Sequence, residues 1–121
     1  MGWNFENGKP IHLQLIDEIV HRVVTGKYEP GGRLPSVREL AEEAAVSPNT
    51  MQKALATLEA GGLIYSERTS GRFVTSDLSL IETERKALAK ASVNKFLSAM
   101  GDLGFSREDA ISIASEMKEV N

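Results

Sequence analysis

Two helix-start signals stand close together near the middle of the chain, and they limit the possible fold more than any other feature. Ser36-Val37-Arg38-Glu39 has the pattern of a capping box, in which two unpaired backbone N–H groups are satisfied. Ser47-Pro48 is the second signal, because serine caps helices and proline suits the first helical position. With a predicted helix over 37–44, only Ala45-Val46 remain as a link. So short a link forces a sharp crossing, as in a helix-turn-helix.

The segments on both sides of this corner also show helical spacing. Before it, Pro10 suits a first turn and Gly26 ends the pattern, which predicts a helix from about residue 10 to 25. Its apolar positions are Ile11, Leu15, Ile19, Val20, Val23 and Val24. After the corner, a helix runs from Ser47 to Gly61-Gly62 with Met51, Ala54, Leu55 and Leu58 on one side. The glycine- and proline-rich connection 28–35 is predicted as a turn region with a short strand at Leu34.

The period of the pattern changes after Gly62. Residues 63–66 and 72–75 are predicted as two strands, and the polar loop 67–71 joins them into a hairpin. The three helices, which we number helix 1 to helix 3 in chain order, are followed by a hairpin, and this is the order of a winged helix-turn-helix. We therefore predict a winged helix-turn-helix DNA-binding domain over residues 1–76.

The C-terminal region, residues 77–121, is predicted to form two helices that begin at the capping-box patterns Ser79-x-x-Glu82 and Ser106-x-x-Asp109. An apolar stripe on the first of them would leave an unusually large exposed patch on a monomer, and a two-fold partner would cover it. The predicted dimerisation residues are Ile81, Leu88, Val93, Phe96, Leu97 and Met100. The expected fold is mostly α with a small β-hairpin wing, followed by this two-helix dimerisation region.

Residue types exclude several classes of protein. The 121 residues include no cysteine, which rules out a disulfide scaffold, a thiolate metal site and a cysteine nucleophile. His12 and His21 stand more than two helical turns apart, and Glu18 with His21 is more simply explained by scattered surface groups than by metal ligands. No phosphate-binding glycine loop is present. We expect no enzymatic activity, no metal and no cofactor.

Hydropathy and charge bear on the partners of the protein. No apolar run is long enough to cross a bilayer, and the polar start of the chain has no signal-peptide core, so we expect a cytoplasmic protein without a membrane partner. The net charge of −3 does not exclude nucleic acid, because the placement of charge counts more than its sum. Within residues 47–72, Lys53, Arg68 and Arg72 outnumber two glutamates, which is compatible with a weakly basic face.

The order of the motifs resembles the GntR family of bacterial transcription regulators. Leu34-Pro35-Ser36-Val37-Arg38-Glu39-Leu40-Ala41 resembles the family signature, and Pro10-Ile11-His12-Leu13-Gln14-Leu15 resembles the opening of its first helix. Val46-Ser47-Pro48-Asn49-Thr50-Met51-Gln52-Lys53-Ala54-Leu55 is similar to its recognition helix. Leu58-Glu59-Ala60-Gly61-Gly62-Leu63-Ile64 and Gly71-Arg72-Phe73-Val74 are similar to its helix end and wing. The resemblance covers about residues 10–75.

Two features are similar to the YtrA-like branch of that family: the Pro48-Asn49-Thr50 start of helix 3 and the short helical C-terminal region. Other branches carry a much larger ligand-binding domain. Much of the family has arginine where this chain has Pro48, and often where it has Gln52. The preferred operator is therefore expected to differ from the operators of those members.

The resemblance implies a DNA-binding set on helix 2, helix 3 and the wing. A cation at Arg38, in the first turn of helix 2, opposes the helix dipole, and the matching arginine of the family reaches DNA. Amides can read adenine, cations bind guanine or phosphate, and hydroxyls suit phosphate. The set is Ser36, Arg38, Ser47, Asn49, Thr50, Gln52, Lys53, Arg68, Thr69, Ser70, Gly71 and Arg72. The alternative is an ordinary solvated surface, with Arg38 paired to Glu42 and Ser47 acting only as a cap.

The leading hypothesis is a sequence-specific transcriptional regulator that binds a two-fold operator of double-stranded DNA as a homodimer. Similarity to the YtrA-like branch implies a repressor, with a transporter operon as its target. The alternative is a winged-helix module that binds protein and lacks DNA binding, which the acidic balance favours slightly. The effector stays open, because two short helices alone cannot enclose a drug-sized pocket of about 300 Å³.

Overall fold

The structure is a computed structural model, and it describes residues 3–117. That part of the chain contains five helices and a two-stranded antiparallel sheet. The elements are α1 (Ile11–Val24), α2 (Val37–Ala44), α3 (Pro48–Ala60), β1 (Ile64–Glu67), β2 (Gly71–Val74), α4 (Leu78–Asp102) and α5 (Arg107–Glu116). The chain divides into two compact units, Met1–Arg85 and Lys86–Asn121. The predicted fold class is confirmed, with helix bounds within one or two residues of those expected.

The core of the first unit is built from one face of each of its first three helices and from the inner side of the hairpin. The fully buried apolar side chains include Leu15, Ile19, Val23, Leu40, Met51, Leu55, Ile64 and Val74. Burial of each such side chain contributes roughly 1.5–3 kcal/mol relative to exposure. The same packing turns the polar face of α3 outward.

The corner between α2 and α3 depends on one residue in the left-handed conformation. Ala45 has φ +59°, and the following N–H of Val46 donates to the carbonyl of Ala41 at 3.0 Å. This bond closes the end of α2 in the manner of a Schellman motif. Ser47 then caps α3 by accepting from the N–H of Thr50 at 3.1 Å. The chain therefore ends one helix and starts the next without a longer loop.

Backbone pairing at the hairpin extends beyond its two four-residue strands. Ile64 pairs with Val74 and Glu67 with Gly71 in antiparallel register. A third segment lies along the second strand, because Arg33 forms a bridge with Phe73 and the backbone of the adjacent residues donates and accepts at 2.8 and 2.9 Å. This is the short strand expected at Leu34, and it ties the start of α2 to the wing.

The predicted start of α4 at a Ser79–Glu82 capping box is wrong. The helix begins at Leu78, and the cap is Asp77, whose Oδ1 accepts from the N–H and the hydroxyl of Ser79 at 3.0 and 2.8 Å. An aspartate two residues ahead supplies a charged acceptor, so the serine becomes a donor. Glu82 instead pairs with Arg85 at 2.8 Å. Hydrogen bonds from Ser79 and Leu80 lower the pKa of Asp77.

One member of the predicted dimerisation set belongs to the core of the first unit. Ile81 is 9% exposed, and its neighbour Leu80 packs beside Gly62. The first turns of α4, as far as Arg85, belong to the first unit. Ile81 is therefore corrected from a dimerisation residue to a core residue.

The second unit consists of the remainder of α4 and of α5. The capping box predicted at Ser106 and Asp109 is confirmed, with the Ser106 Oγ accepting from the Asp109 N–H at 3.1 Å. Ala110 is fully buried, but other apolar side chains are not. Exposed large apolar residues of this unit are Val93, Phe96, Leu103, Phe105, Ile111 and Met117. Within the described chain, one copy of the unit leaves much of its apolar surface uncovered.

The left-handed corner generates a stability prediction. Ala45→Gly should raise the free energy of unfolding by about 0.5–1 kcal/mol, because the strain of a left-handed alanine exceeds the added freedom of glycine in the unfolded chain. The matched control is Ala56→Gly on the exposed side of α3. At that position the same change should lower the free energy of unfolding by about 1 kcal/mol. Urea denaturation of both variants measures the two shifts, and a destabilising Ala45→Gly would contradict this account.

Candidate nucleic-acid interface

The solvent-facing side of α3 carries three polar side chains in a short stretch. Met51, Ala54 and Leu55 anchor the helix in the core, whereas Asn49, Gln52 and Lys53 are exposed. The exposed set lies in the first two turns, next to the sharp corner. No ion pair involves Lys53 within residues 3–117. This face therefore presents two amides and one ammonium group to solvent, which are groups that bind base edges and phosphate.

Two hydroxyls predicted for DNA contact also hold the start of α3. Ser47 Oγ lies 2.9 Å from Thr50 Oγ1, in addition to accepting from the Thr50 N–H. Ser47 is therefore the N-cap of α3, as its position in the sequence predicted. Because both hydroxyls sit at the N-terminus of the helix, their cap role also keeps them beside the exposed amides.

The start of α2 holds Ser36 and Arg38 in different ways. The hydroxyl of Ser36 accepts from the Glu39 N–H at 3.1 Å, and Glu39 Oε1 accepts from the Ser36 N–H at 2.8 Å. This backbone hydrogen bond holds the pKa of Glu39 below its ordinary value. Arg38 is exposed, and within the described residues it makes no ion pair with Glu42. The predicted capping box is confirmed, and Arg38 faces solvent.

The tip of the wing is exposed and short. Arg68, Thr69 and Ser70 join the two strands, and the Ser70 N–H donates to the carbonyl of Glu67 at 3.3 Å. Gly71 has φ +106°, a conformation that L side chains rarely adopt. The predicted wing residues Arg68 to Gly71 therefore stand together at the end of the hairpin.

Arg72, which is predicted to contact DNA from the wing, forms an ion pair with a carboxylate. Its Nε donates to Glu59 Oε1 at 2.6 Å, and its side chain is only 18% exposed. The other carboxylate oxygen, Glu59 Oε2, accepts from the hydroxyl of Ser66 at 2.9 Å. These bonds, the one from Arg72 first, hold the pKa of Glu59 below its ordinary value. We call the three residues the Glu59 clamp.

Arg33 is a cation near the wing that the sequence analysis missed. A groove of about 410 Å³ lies between the start of α2 and the wing, and Arg33, Ser36, Ser66 and Arg68 are among its lining residues. Arg33 lies in a turn-rich connection, where an arginine resembles any solvated loop residue. The expected strand at Leu34 was the one available signal, because pairing with the hairpin is what carries Arg33 to the wing.

The polar groups of α1 serve a buried arginine. Arg22 is 3% exposed, and its Nε donates to Glu18 at 2.8 Å. Its guanidinium also lies 4.2 Å from the ring centroid of Trp3, while Glu43 accepts from Arg22 and from the indole of Trp3. Glu18 is thus committed to Arg22. Among residues 3–117, no group of three or more His, Asp or Glu side chains is arranged to hold a metal ion. Nor is any described helix long and apolar enough to span a membrane.

Residues 11–74, from the start of α1 to the end of β2, match a known family model, described as bacterial regulatory proteins, gntR family. The chain belongs to the GntR family. It is 33% identical over 107 residues to YhcF of Bacillus subtilis (strain 168), an uncharacterized HTH-type transcriptional regulator, and the match covers 88% of each chain. It is 36% identical over 77 residues to the HTH-type transcriptional repressor YtrA of the same organism, covering 64% of this chain and 59% of YtrA. The predicted similarity to the YtrA-like branch is confirmed.

Solved GntR structures resemble the chain over different lengths. A GntR family transcriptional regulator from Listeria monocytogenes superposes with a TM-score of 0.84 at 38% identity, covering 94% of this chain and 100% of that one. The DNA-binding domain of AraR in complex with operator ORX1 gives 0.54 at 33% identity, covering 62% of this chain and 90% of that domain. The similarity thus extends beyond the winged helix for the Listeria monocytogenes protein, and it is confined to the DNA-binding part for AraR.

The Glu59 clamp generates a pH prediction. The pKa of Glu59 is lowered in the folded state, so its ion pair stabilises the fold above the unfolded pKa of about 4.3 and is lost as pH falls through the lowered value. The free energy of unfolding of the parent should therefore exceed that of Glu59→Gln near neutral pH. The difference should shrink as the pH is taken below about 4.

Urea denaturation at stepped pH measures this difference. Glu42→Gln is the matched control, since Glu42 is exposed and makes no ion pair within residues 3–117. Its difference from the parent should stay small throughout. A Glu59→Gln difference that does not change with pH would show that the clamp adds no charge-dependent stability.

Proposed function

We propose that the protein is a sequence-specific transcriptional repressor that binds a two-fold DNA operator as a homodimer. The observation that carries the proposal is the exposed polar face of α3, in which Asn49, Gln52 and Lys53 project from a helix that the sharp corner and the core hold rigidly. A helix of this kind enters the major groove in helix-turn-helix proteins. A DNA-bound regulator works in the cytoplasm of a bacterium.

The relatives support the DNA part and the sign of regulation. AraR, whose domain is similar to residues of the first unit, was solved with an operator, and YtrA is named a repressor. Control of a transporter operon follows from the YtrA-like resemblance alone and forms the most distant part of the proposal. No effector is assigned.

We assign the contacts by chemistry. Asn49 and Gln52 read base edges, and Lys53 binds phosphate or guanine. Arg38, at the exposed start of α2, binds phosphate or a base edge, and Ser36 stands beside it. The hydroxyls of Ser47 and Thr50 contact phosphate from the helix start. The wing tip contributes Arg68, Thr69, Ser70 and Gly71 along the backbone or the minor groove.

The second unit supplies the dimer. Leu88, Val93, Phe96, Leu97 and Met100 remain in the proposed interface after Ile81 is assigned to the core. Val93 is 52% exposed and Phe96 38% exposed in the single chain, which is a large apolar surface for so short a segment. A two-fold contact between copies covers the same patch on both.

The first functional prediction separates base reading from phosphate binding. Asn49→Ala and Gln52→Ala should relax the preference at particular base positions and leave the salt dependence of binding nearly unchanged. Lys53→Ala and Arg38→Ala should weaken binding to all sequences, and each should lower the magnitude of the salt slope by about one for every phosphate that is no longer neutralised. Binding selections on randomised duplexes at two salt concentrations measure both effects.

Lys90→Ala is the matched control, because Lys90 is an exposed lysine of the second unit. It should change neither the selected sequence nor the salt slope. If the parent chain selects no DNA sequence and shows no salt-dependent binding, the winged-helix module that binds protein becomes the better interpretation. If only Asn49→Ala and Gln52→Ala are silent, base reading lies in Arg38 or in the wing.

The dimer prediction uses the full-length chain. Sedimentation at micromolar concentration should give twice the mass of the chain, and Phe96→Asp should give a monomer of unchanged helicity, because a buried charge without a partner is costly. Asn94→Asp adds the same charge at an exposed polar position two residues away and should remain dimeric. A parent chain that sediments as a monomer yet binds a two-fold operator tightly would overturn the proposed interface.

A further inference from the structure

We propose that Arg33, and not Arg72, is the arginine that contacts a DNA phosphate beside the wing, while Glu59 holds Arg72 in a clamp that sets the wing on α3. The inference rests on the proposed DNA binding and refines which residues perform it. It stands on two separate sets of contacts, one around Glu59 and one around Gly71.

The contacts of Arg72 argue against a phosphate role. Its Nε makes a 2.6 Å charge-assisted bond to Glu59, on a side chain that is 18% exposed. For its Nε to serve a phosphate, the guanidinium would have to leave this bond and strand a partly buried carboxylate. That carboxylate would also repel a phosphate drawn close to Arg72.

The geometry of the clamp suits a positioning role. Ser66 and Arg72 stand opposite each other in the hairpin register, one on each strand. Both bond to the same carboxylate, one to each oxygen, and Glu59 lies in the last turn of α3. One side chain of the recognition helix therefore ties both strands of the wing to it. The clamp fixes the angle between the two elements that face DNA together.

Arg33 has the opposite surroundings. It is exposed, and within residues 3–117 it makes no ion pair shorter than 4 Å. Its guanidinium lies against the backbone of Gly71, so near that a Cβ there would stand 3.2 Å from Nε and 3.4 Å from Nη2. Its own backbone is bridged to Phe73. Arg33 is thus a cation held against the wing and open to the groove.

Glu39 lies near enough to Arg33 that a small part of its lowered pKa comes from the guanidinium. Glu39 is itself engaged with the N–H of Ser36, so it does not close an ion pair on Arg33. The groove lining adds the cation Arg68, the carboxylate residue Glu67, and the hydroxyls of Ser36 and Ser66, which bond to Glu39 and Glu59. Within residues 3–117, neither Arg33 nor Arg68 makes an ion pair, so both cations of this groove are available to a DNA phosphate.

The test measures operator affinity across about 50 to 200 mM salt for full-length variants. The probe is a duplex of about 30 base pairs, long enough for two half-sites, that the parent chain selects from a randomised pool. Arg33→Gln should lower the magnitude of the salt slope by about one for each protomer. Arg72→Gln should weaken binding by about ten- to hundredfold, the scale of removing one charge-assisted bond, without changing the slope.

Glu59→Gln gives the sharpest discrimination, because the two models predict opposite signs. A clamp predicts weaker binding, and the double variant Glu59→Gln with Arg72→Gln should cost less than the sum of the two single changes. A phosphate-binding Arg72 predicts tighter binding once the competing carboxylate is neutralised. Tighter binding of Glu59→Gln, or a lower slope for Arg72→Gln, overturns the clamp. An unchanged slope for Arg33→Gln overturns the phosphate contact.

Two controls keep the outcomes separate. Circular dichroism checks that each variant is folded, and Ser66→Ala removes a single clamp bond if Arg72→Gln does not fold. It should weaken binding less, again at constant slope. Lys53→Ala tests the proposed function itself. If the parent selects no duplex and shows no salt-dependent binding that Lys53→Ala could weaken, the proposed function fails and not the assignment of Arg33 and Arg72.

Discussion

The left-handed turn at Ala45 governs how the first unit packs. It ends α2 and lets Ser47 start α3 almost at once, so the two helices must cross sharply. Once they cross, Leu40 and Met51 meet in one core, and α1 and the hairpin close over them. The polar side of α3 therefore faces solvent. A longer link would allow the same helices many other arrangements.

The wing is attached to this frame at two places. Backbone pairing joins β2 to the segment around Arg33, and the Glu59 clamp joins the hairpin to α3. The backbone hydrogen bonds fix the position of the hairpin but allow it to twist relative to α3. The Glu59 carboxylate bonds to both strands and limits that twist. A regulator that reads DNA with a helix and a hairpin benefits from both, because pre-ordered elements lose less entropy on binding.

The acidic balance of the chain is compatible with a DNA-binding surface once its pairing is known. Glu18 and Glu43 both pair with the buried Arg22, and Glu59 pairs with Arg72. Two of these three negative charges are therefore offset by arginines within the first unit. The cations on the exposed faces of α2 and α3 are not offset by such an ion pair within residues 3–117. Net charge alone therefore says little about whether such a chain binds nucleic acid.

Helix order, the sharp corner and the family signature could all be predicted from the amino-acid sequence, because they arise between residues a few positions apart. The capping boxes at Ser36 and Ser106 are examples, since both close through hydrogen bonds within one helical turn. Contacts between distant elements could not be predicted in this way. Arg72 meets Glu59 across the wing, and Ile81 joins the core instead of an apolar stripe. A local pattern shows that a side chain is charged or apolar, but the partner that satisfies it is chosen by how the elements pack.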